Sequence, residues 1–238
     1  MAKTNKLIVK HILLLVITFF YLGICFAQDT VEKRNRWTDS VIERFYVLKN
    51  NQDVKQGPYK AFFKRRTLIA SGNYSKNIKI GIWSFFNSAG ALIEKHDYDT
   101  HTFLFEAPLD KNADLDFLFD EKTKKTDILT RPLKAGGSYY GFIPYVSIFR
   151  APFTTVDINT NSFDATIELL ISPLGRLADY KVHLTSEEYN YDQIINLDVG
   201  MFSEDDRTFL PATLNGKPIL SRIIIRCFFD SSGGLDFY

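Results

Sequence analysis

Apolar and polar side chains alternate along residues 218–229, which is the clearest pattern in the chain. One face of this segment carries Ile219, Ser221, Ile223, Ile225, Cys227 and Phe229, and the other carries Leu220, Arg222, Ile224, Arg226 and Phe228. A period of two predicts a β-strand, and the first face is suited to a core. The preceding Asn215-Gly216 predicts a turn, because both residues tolerate positive φ.

The same alternation predicts strands at 163–171 and 180–184, joined by a tight turn at 172–175. Residues 186–197 show a weak helical pattern, in which Ser186 can cap the N-terminus of the helix and acidic residues occupy its first turn. The predicted C-terminal order is therefore strand, turn, strand, helix and long final strand.

Residues 138–152 are rich in aromatic side chains and are interrupted by Pro144 and Pro152. This composition predicts extended rather than helical backbone, because proline removes a helical hydrogen bond.

A repeat occupies the first half of the chain. Seven positions match at an offset of 24, and the pairs are Val54/Ile78, Lys55/Lys79, Gly57/Gly81, Tyr59/Trp83, Phe62/Phe86, Leu68/Leu92 and Tyr74/Tyr98. Such a period indicates stacked supersecondary units. Each unit is predicted to be a β-hairpin, with strands at 57–62 and 67–74 in the first copy and at 81–86 and 91–98 in the second. Residues 41–48 are predicted to open the sheet as a cap strand.

The glycine-aromatic-x-x-Phe core and Gly72-Asn-Tyr74 of this repeat resemble the MORN-type repeats of bacterial secreted proteins. The resemblance covers about residues 40–100, and the second copy departs from it at His96, where glycine is expected. Such repeats imply a scaffold or an interaction surface rather than a reaction.

The run Phe-x-Pro-Ala-x-x-Asn-Gly-Lys-Pro, which starts at Phe209, resembles the C-terminal domain of TonB-like proteins, with similarity over about residues 160–229. The resemblance implies that the final strand is a sheet edge that accepts an extended segment of an outer-membrane receptor. The implied partner-binding residues are Leu220, Arg222, Ile224, Arg226 and Phe228. The alternative is that this strand only completes the sheet, with its arginines solvated.

The fold class is therefore predicted to be mainly β, with a small α+β C-terminal domain that has a TonB-like sheet and one or two helices. The predicted boundaries are a signal peptide at 1–27, the MORN-like hairpin repeats at 28–106, a connector at 107–137 and the TonB-like domain at 138–238.

The N-terminus has the layout of a secretory signal. A basic region ending at Lys10 precedes an almost unbroken apolar run, residues 12–27, with cleavage expected after Ala27. This predicts the periplasm or cell envelope of a Gram-negative bacterium. Two alternatives remain, lipid attachment at Cys25 and retention of residues 7–27 as an inner-membrane anchor. The apolar run is short for a membrane span.

Composition limits the classes of binding partner that are expected. The 238 residues carry a formal net charge of +1, which gives no electrostatic reason to expect nucleic acid. With Cys25 assigned to the signal, Cys227 is a lone thiol on the predicted core face, so no disulfide framework is expected.

Candidate chemistry is sparse. The calcium-loop spacing is matched by Asp110, Asn112, Asp114, Asp116 and Glu121. However, Leu115 stands where the sharp turn demands glycine, so a solvated acidic connector is favoured and no metal is assigned. No nucleophile elbow or phosphate-binding glycine motif is present. The sequence therefore predicts neither catalysis nor a cofactor.

The sequence favours a secreted envelope protein-binding module that acts by β-strand addition to an envelope protein or an outer-membrane receptor peptide. Membrane contact is expected only if the N-terminal segment is retained or lipidated. The alternatives are a membrane-anchored TonB-type energy transducer for outer-membrane transport and an unrecognised secreted hydrolase. A transducer needs a Pro-rich spacer to reach across the periplasm, and the chain has no such spacer.

Overall fold

The computed structural model describes residues 29–110, 113–152, 159–230 and 233–237. The predicted signal segment, residues 1–27, and Asn112 of the calcium-loop candidate lie outside these residues. Among the described residues, no helix is long and apolar enough to cross a membrane. The described part of the protein is mainly β, as predicted, with several antiparallel sheets and one short α-helix.

The first sheet is a seven-stranded antiparallel meander in which each strand pairs with its neighbours in sequence. Its strands are β1 (Thr30–Arg36), β2 (Val41–Leu48), β3 (Asn51–Phe63), β4 (Thr67–Ser75), β5 (Ile78–Phe86), β6 (Leu92–Asp97) and β7 (Thr102–Glu106). The four predicted repeat strands are confirmed as β3 to β6. The cap-strand prediction is wrong in one respect, because β1 pairs with β2 and takes the edge of the sheet.

The 24-residue repeat reappears in the packing of the first sheet. Tyr59 and Trp83 occupy equivalent positions and are both buried. The ammonium of Lys55 lies 5.6 Å from the Tyr59 ring centroid, and that of Lys79 lies 5.5 Å from the Trp83 ring. Each unit therefore contributes a buried aromatic ring with a lysine above it, a favourable cation–π arrangement.

The departure of the second repeat at His96 has a steric cause. A Cβ atom on Gly72 would lie 2.2 Å from the ring of Trp83, the aromatic residue of the next unit. His96 pairs instead with Phe103 of β7, and the two rings contact edge to face with centroids 4.7 Å apart. Glycine is required at position 72, where the Trp83 ring takes the space of a Cβ, whereas at position 96 the Phe103 ring packs against the His96 side chain and leaves room for it.

The second sheet has the strand order β12-β11-β10-β15-β16, and β8 also pairs with β15. Its strands are β8 (Leu115–Phe119), β10 (Asp164–Ile171), β11 (Leu177–Ser186), β12 (Tyr191–Asn196), β15 (Ser221–Phe229) and β16 (Leu235–Asp236). A small third sheet joins β9 (Leu129–Thr130), β13 (Thr213–Leu214) and β14 (Lys217–Pro218). Asn215 and Gly216 both have positive φ in the β13–β14 turn, as predicted.

The helix predicted at 186–197 is wrong. Ser186 ends β11, a turn at Asn190 with positive φ follows, and β12 pairs in register with β11. Tyr191 and Ile195 pack against the core from alternate positions of this strand. The neighbouring strand therefore overrides a weak helical propensity.

The prediction of extended backbone at 138–152 is also wrong. A 3₁₀ turn at Tyr140–Phe142 continues directly into helix α1 (Ile143–Ile148). Pro144 lies in the first turn of α1, where its missing N–H costs nothing because that group has no helical acceptor. Ile143, Tyr145 and Val146 are buried.

One hydrophobic core joins the two large sheets. The Tyr140–Phe142 turn lies against the first sheet, where the Tyr140 hydroxyl donates to the Tyr59 hydroxyl at 3.0 Å. On the other side, the Tyr180 hydroxyl of β11 donates to the Tyr145 carbonyl at 2.5 Å. The segment around α1 is thus the layer through which the repeat region and the C-terminal region pack.

Candidate functional site

The partner-binding residues predicted from the sequence lie on a strand without an open edge. Strand β15 pairs with β10 on one side, while β8 pairs with its residues 221–225 and β16 with Phe228 and Phe229 on the other. The predicted faces of β15 are correct, since Ile223 and Ile225 are fully buried and Arg226 is exposed. The prediction that its rim accepts a guest strand is wrong, because the chain's own backbone fills it.

The arginines of β15 are matched by acids of this chain. Arg222 pairs with Asp120 and, through Nε, with Glu168 at 3.2 Å. Arg226 pairs with Asp116 and lies 3.6 Å from Asp114. Ile224 and Phe228 lie on the same face of β15, and Leu220 immediately precedes the strand. The strand therefore completes its sheet, as the alternative interpretation anticipated, but its arginines form ion pairs instead of being solvated.

The calcium-loop candidate is ruled out by the same pairing. Asp116 lies inside β8 rather than in a loop, and Asp114 and Asp116 neutralise Arg226. Asp110 and Glu121 lie on either side of this strand. Among the residues that the structure describes, no group of three or more His, Cys, Asp or Glu side chains is placed to hold a metal ion.

A cavity lies elsewhere, at the end of the first sheet. It is a cleft of about 560 Å³ between the β6–β7 end of that sheet and residues 131–142. Its apolar walls include Ile93, Leu109, Leu133 and Phe142, and its charged residues are Glu94, Glu106, Asp110, Asp114, Arg131 and Lys134. A concave, mainly apolar cavity with a few polar groups is typical of a binding site.

Glu94 forms the floor of this cleft. Its two carboxylate oxygens accept backbone N–H groups from Gly136 at 2.8 Å and Gly137 at 3.0 Å. Both glycines have positive φ, and a Cβ on Gly137 would lie 2.6 Å from Ile93. Burial raises the pKa of Glu94 to about 7, although these two hydrogen bonds oppose the shift.

Two cations complete the cleft. Arg131 pairs with Glu106 at the end of β7, and both side chains are partly exposed. Lys134 is buried, and its ammonium donates to the Asp205 carbonyl at 3.0 Å and lies 3.7 Å from the Asp206 carboxylate. Burial lowers the pKa of Lys134 to about 8, partly offset by Asp206.

The loop at 204–206 has a structural role. Asp205 reaches across to the first sheet and accepts a hydrogen bond from Lys79 at 2.6 Å. Together with the contacts of Lys134, this ion pair fixes residues 131–134 beside the repeat sheet and so sets one wall of the cleft.

Strand β7 borders the cleft and has an open edge. Within the described residues it pairs only with β6, and its last residue, Glu106, lines the cavity. Leu104 and Phe105 are 53% and 43% exposed. Lysine or proline commonly prevents unwanted strand pairing at a sheet edge, and β7 contains neither residue. An apolar, unguarded edge beside a cavity is suited to an extended ligand.

Sequence reasoning did not identify this site. The Gly136-Gly137 pair was visible, and it marks the backbone that binds Glu94. However, Glu94 is distant in the sequence from Arg131 and Lys134, and the three residues match no motif. Comparisons of the chain with protein-family models, curated proteins and solved structures find no match.

Proposed function

We propose that this chain is a secreted protein-binding module of the cell envelope that captures an extended segment of a partner protein by strand addition at β7. Backbone hydrogen bonds to the open edge supply affinity, and a side chain of the guest enters the neighbouring cleft and supplies selectivity. The TonB-like and MORN-like resemblances and the N-terminal signal support this assignment to the envelope.

The observation that carries the proposal is the continuity between the open edge of β7 and the cleft. A guest strand paired with β7 runs past Glu106, whose side chain lines the cavity. Side chains of a strand alternate between its two faces, so one of them points towards the cleft. The apolar walls favour an apolar guest side chain there.

The experiment begins with peptides selected from a displayed random library on the purified protein. Binding of a selected peptide is then measured by fluorescence anisotropy. Leu104→Lys and Phe105→Lys place charge on an exposed edge and are expected to weaken binding at least about tenfold, or 1.4 kcal/mol. Ile194→Lys is the matched control, because Ile194 is 56% exposed on β12, which is also an edge strand.

Equal weakening by Ile194→Lys, or no effect of either β7 variant, contradicts the proposal. Loss of binding confined to Ile194→Lys also contradicts the proposal and indicates that the guest strand pairs with β12. Unfolding is monitored for each variant, so that loss of binding is interpreted only where the thermal transition is unchanged.

The proposal of a secreted module also depends on the fate of the N-terminal segment, which lies outside the described residues. Sequencing of the mature protein from envelope fractions is expected to begin at Gln28. A protein that still begins at Met1 instead favours the anchored energy transducer.

A further inference from the structure

The outer face of the first sheet carries a second candidate site, remote from β7 in the strand order. Arg34, Arg44 and Lys60 are direct cross-strand partners on β1, β2 and β3. Like charges placed opposite each other destabilise a sheet. Three cations are nevertheless adjacent on one small area, in a chain whose formal net charge is only +1.

A fourth cation, Arg65, joins them from the β3–β4 turn. Arg34, Arg44 and Arg65 line a shallow pocket of about 270 Å³, whose apolar lining residues are Ile42 and Phe62. The guanidinium of Arg44 stacks over the Phe62 ring at 5.0 Å from its centroid. We call Arg34, Arg44, Lys60 and Arg65 the basic cluster.

These cations are not neutralised by the chain itself. Throughout the described part of the chain, no carboxylate lies within ion-pairing distance of Arg44, Lys60 or Arg65. Arg34 lies 3.7 Å from Glu32, and both side chains are largely exposed, a kind of contact that contributes little. The basic cluster thus differs from the outer face of the second sheet, where each β15 arginine has acidic partners.

The conformation of the β3–β4 turn is a separate observation. Lys64 and Arg65 have φ values of 45° and 64°, a left-handed conformation that favours Asn and Gly. The equivalent second turn positions of the β4–β5 and β13–β14 hairpins are Asn77 and Gly216. Arg65 therefore adopts this conformation although it is neither Asn nor Gly.

We propose that the basic cluster is a binding site for a phosphate group. A phosphate monoester carries more than one negative charge and three terminal oxygens, which matches several converging cations better than a single carboxylate does. Guanidinium groups bind such oxygens in a planar, bidentate manner. The apolar residues Ile42 and Phe62 contact the carbon skeleton that bears the phosphate.

Two sources can present this group, a soluble phosphorylated molecule and a lipid headgroup. The purified protein is titrated with inorganic phosphate while backbone amide shifts of β1 to β3 are followed by NMR. In parallel, it is sedimented with phosphatidylcholine vesicles that contain or lack phosphatidic acid, whose headgroup is a phosphate monoester. Phosphate binding without vesicle binding indicates a soluble ligand, and binding that requires phosphatidic acid indicates a lipid. Either result supports the site, provided that the variants below weaken it.

The test variants are Arg44→Gln and Arg65→Asn, and each is expected to weaken binding about tenfold. Arg65→Asn is not expected to unfold the hairpin, because it gives this turn the same Lys-Asn dipeptide that closes β4–β5. Lys76→Asn is the matched control, since it removes a cation from the β4–β5 turn, outside the basic cluster. The proposal is overturned if the wild-type protein binds neither probe, or if Lys76→Asn weakens binding as much as the test variants.

Discussion

A methyl group added at Gly72 is expected to destabilise the repeat sheet. The Cβ of alanine at this position would lie 2.2 Å from ring atoms of Trp83, more than about 1 Å closer than an optimal carbon–carbon contact of roughly 3.5 Å. The ring cannot move freely, because it contacts Tyr59, Tyr74 and Phe85. The strand or the aromatic cluster must therefore shift.

Overpacking of this kind typically costs about 1–3 kcal/mol. We expect Gly72→Ala to fall at or above the upper value, since Trp83 is fully buried and has rigid neighbours. For a protein of this size, a loss of about 3 kcal/mol lowers the Tm by roughly 6–12 °C. Urea unfolding followed by tryptophan fluorescence measures the loss of free energy.

A double-mutant cycle assigns the effect to this contact. Trp83→Phe removes part of the obstructing indole, so the double variant with Gly72→Ala is expected to be more stable than the sum of the two single effects predicts. His96→Ala, at the equivalent position of the second repeat, provides the comparison, because His96 already carries a Cβ beside the Phe103 ring. The steric reasoning is refuted if Gly72→Ala changes the unfolding free energy by less than about 0.5 kcal/mol.

Two further predictions concern titratable groups. Because burial raises the Glu94 pKa from 4.5 to about 7, the folded state disfavours ionisation. The stability contribution of this group is therefore fully present below pH 4.5 and is lost as the pH rises through 7, by about 3 kcal/mol in all. The difference in unfolding free energy between the wild type and Glu94→Gln should follow that course, and a pH-independent difference contradicts it. Burial also raises the pKa of the Cys227 thiol, so native Cys227 is expected to react with a thiol reagent more slowly than the unfolded chain does; equal labelling rates of the native and unfolded protein contradict this.

The repeat region was predictable in some detail because its information is local. Spacing placed β3 to β6, and it paired Tyr59 with Trp83 as equivalent core residues. The reason for His96 was not predictable, because it depends on how the facing ring is placed. The Trp83 ring takes the space of a Cβ at Gly72, whereas the Phe103 ring packs edge to face with the His96 ring.

The candidate site was largely invisible before the fold was known. The glycine pair at 136–137 was visible in the sequence, but its contact with Glu94 spans more than 40 residues. The Lys79–Asp205 pair spans 126 residues. Charged residues so far apart carry no common spacing, so only the packed chain identifies them as neighbours.

By itself, the sequence determined the β class, the hairpin period and the two faces of β15, because side-chain periodicity is a property of consecutive residues. The tertiary structure decided which strand edges are filled. Strand β8 occupies the edge of β15 that alternation alone left open, whereas the edge of β7 is unfilled among the described residues. Segments that are distant in sequence compete for the same backbone hydrogen bonds at a sheet edge. The local pattern of side chains does not indicate which segment fills the edge.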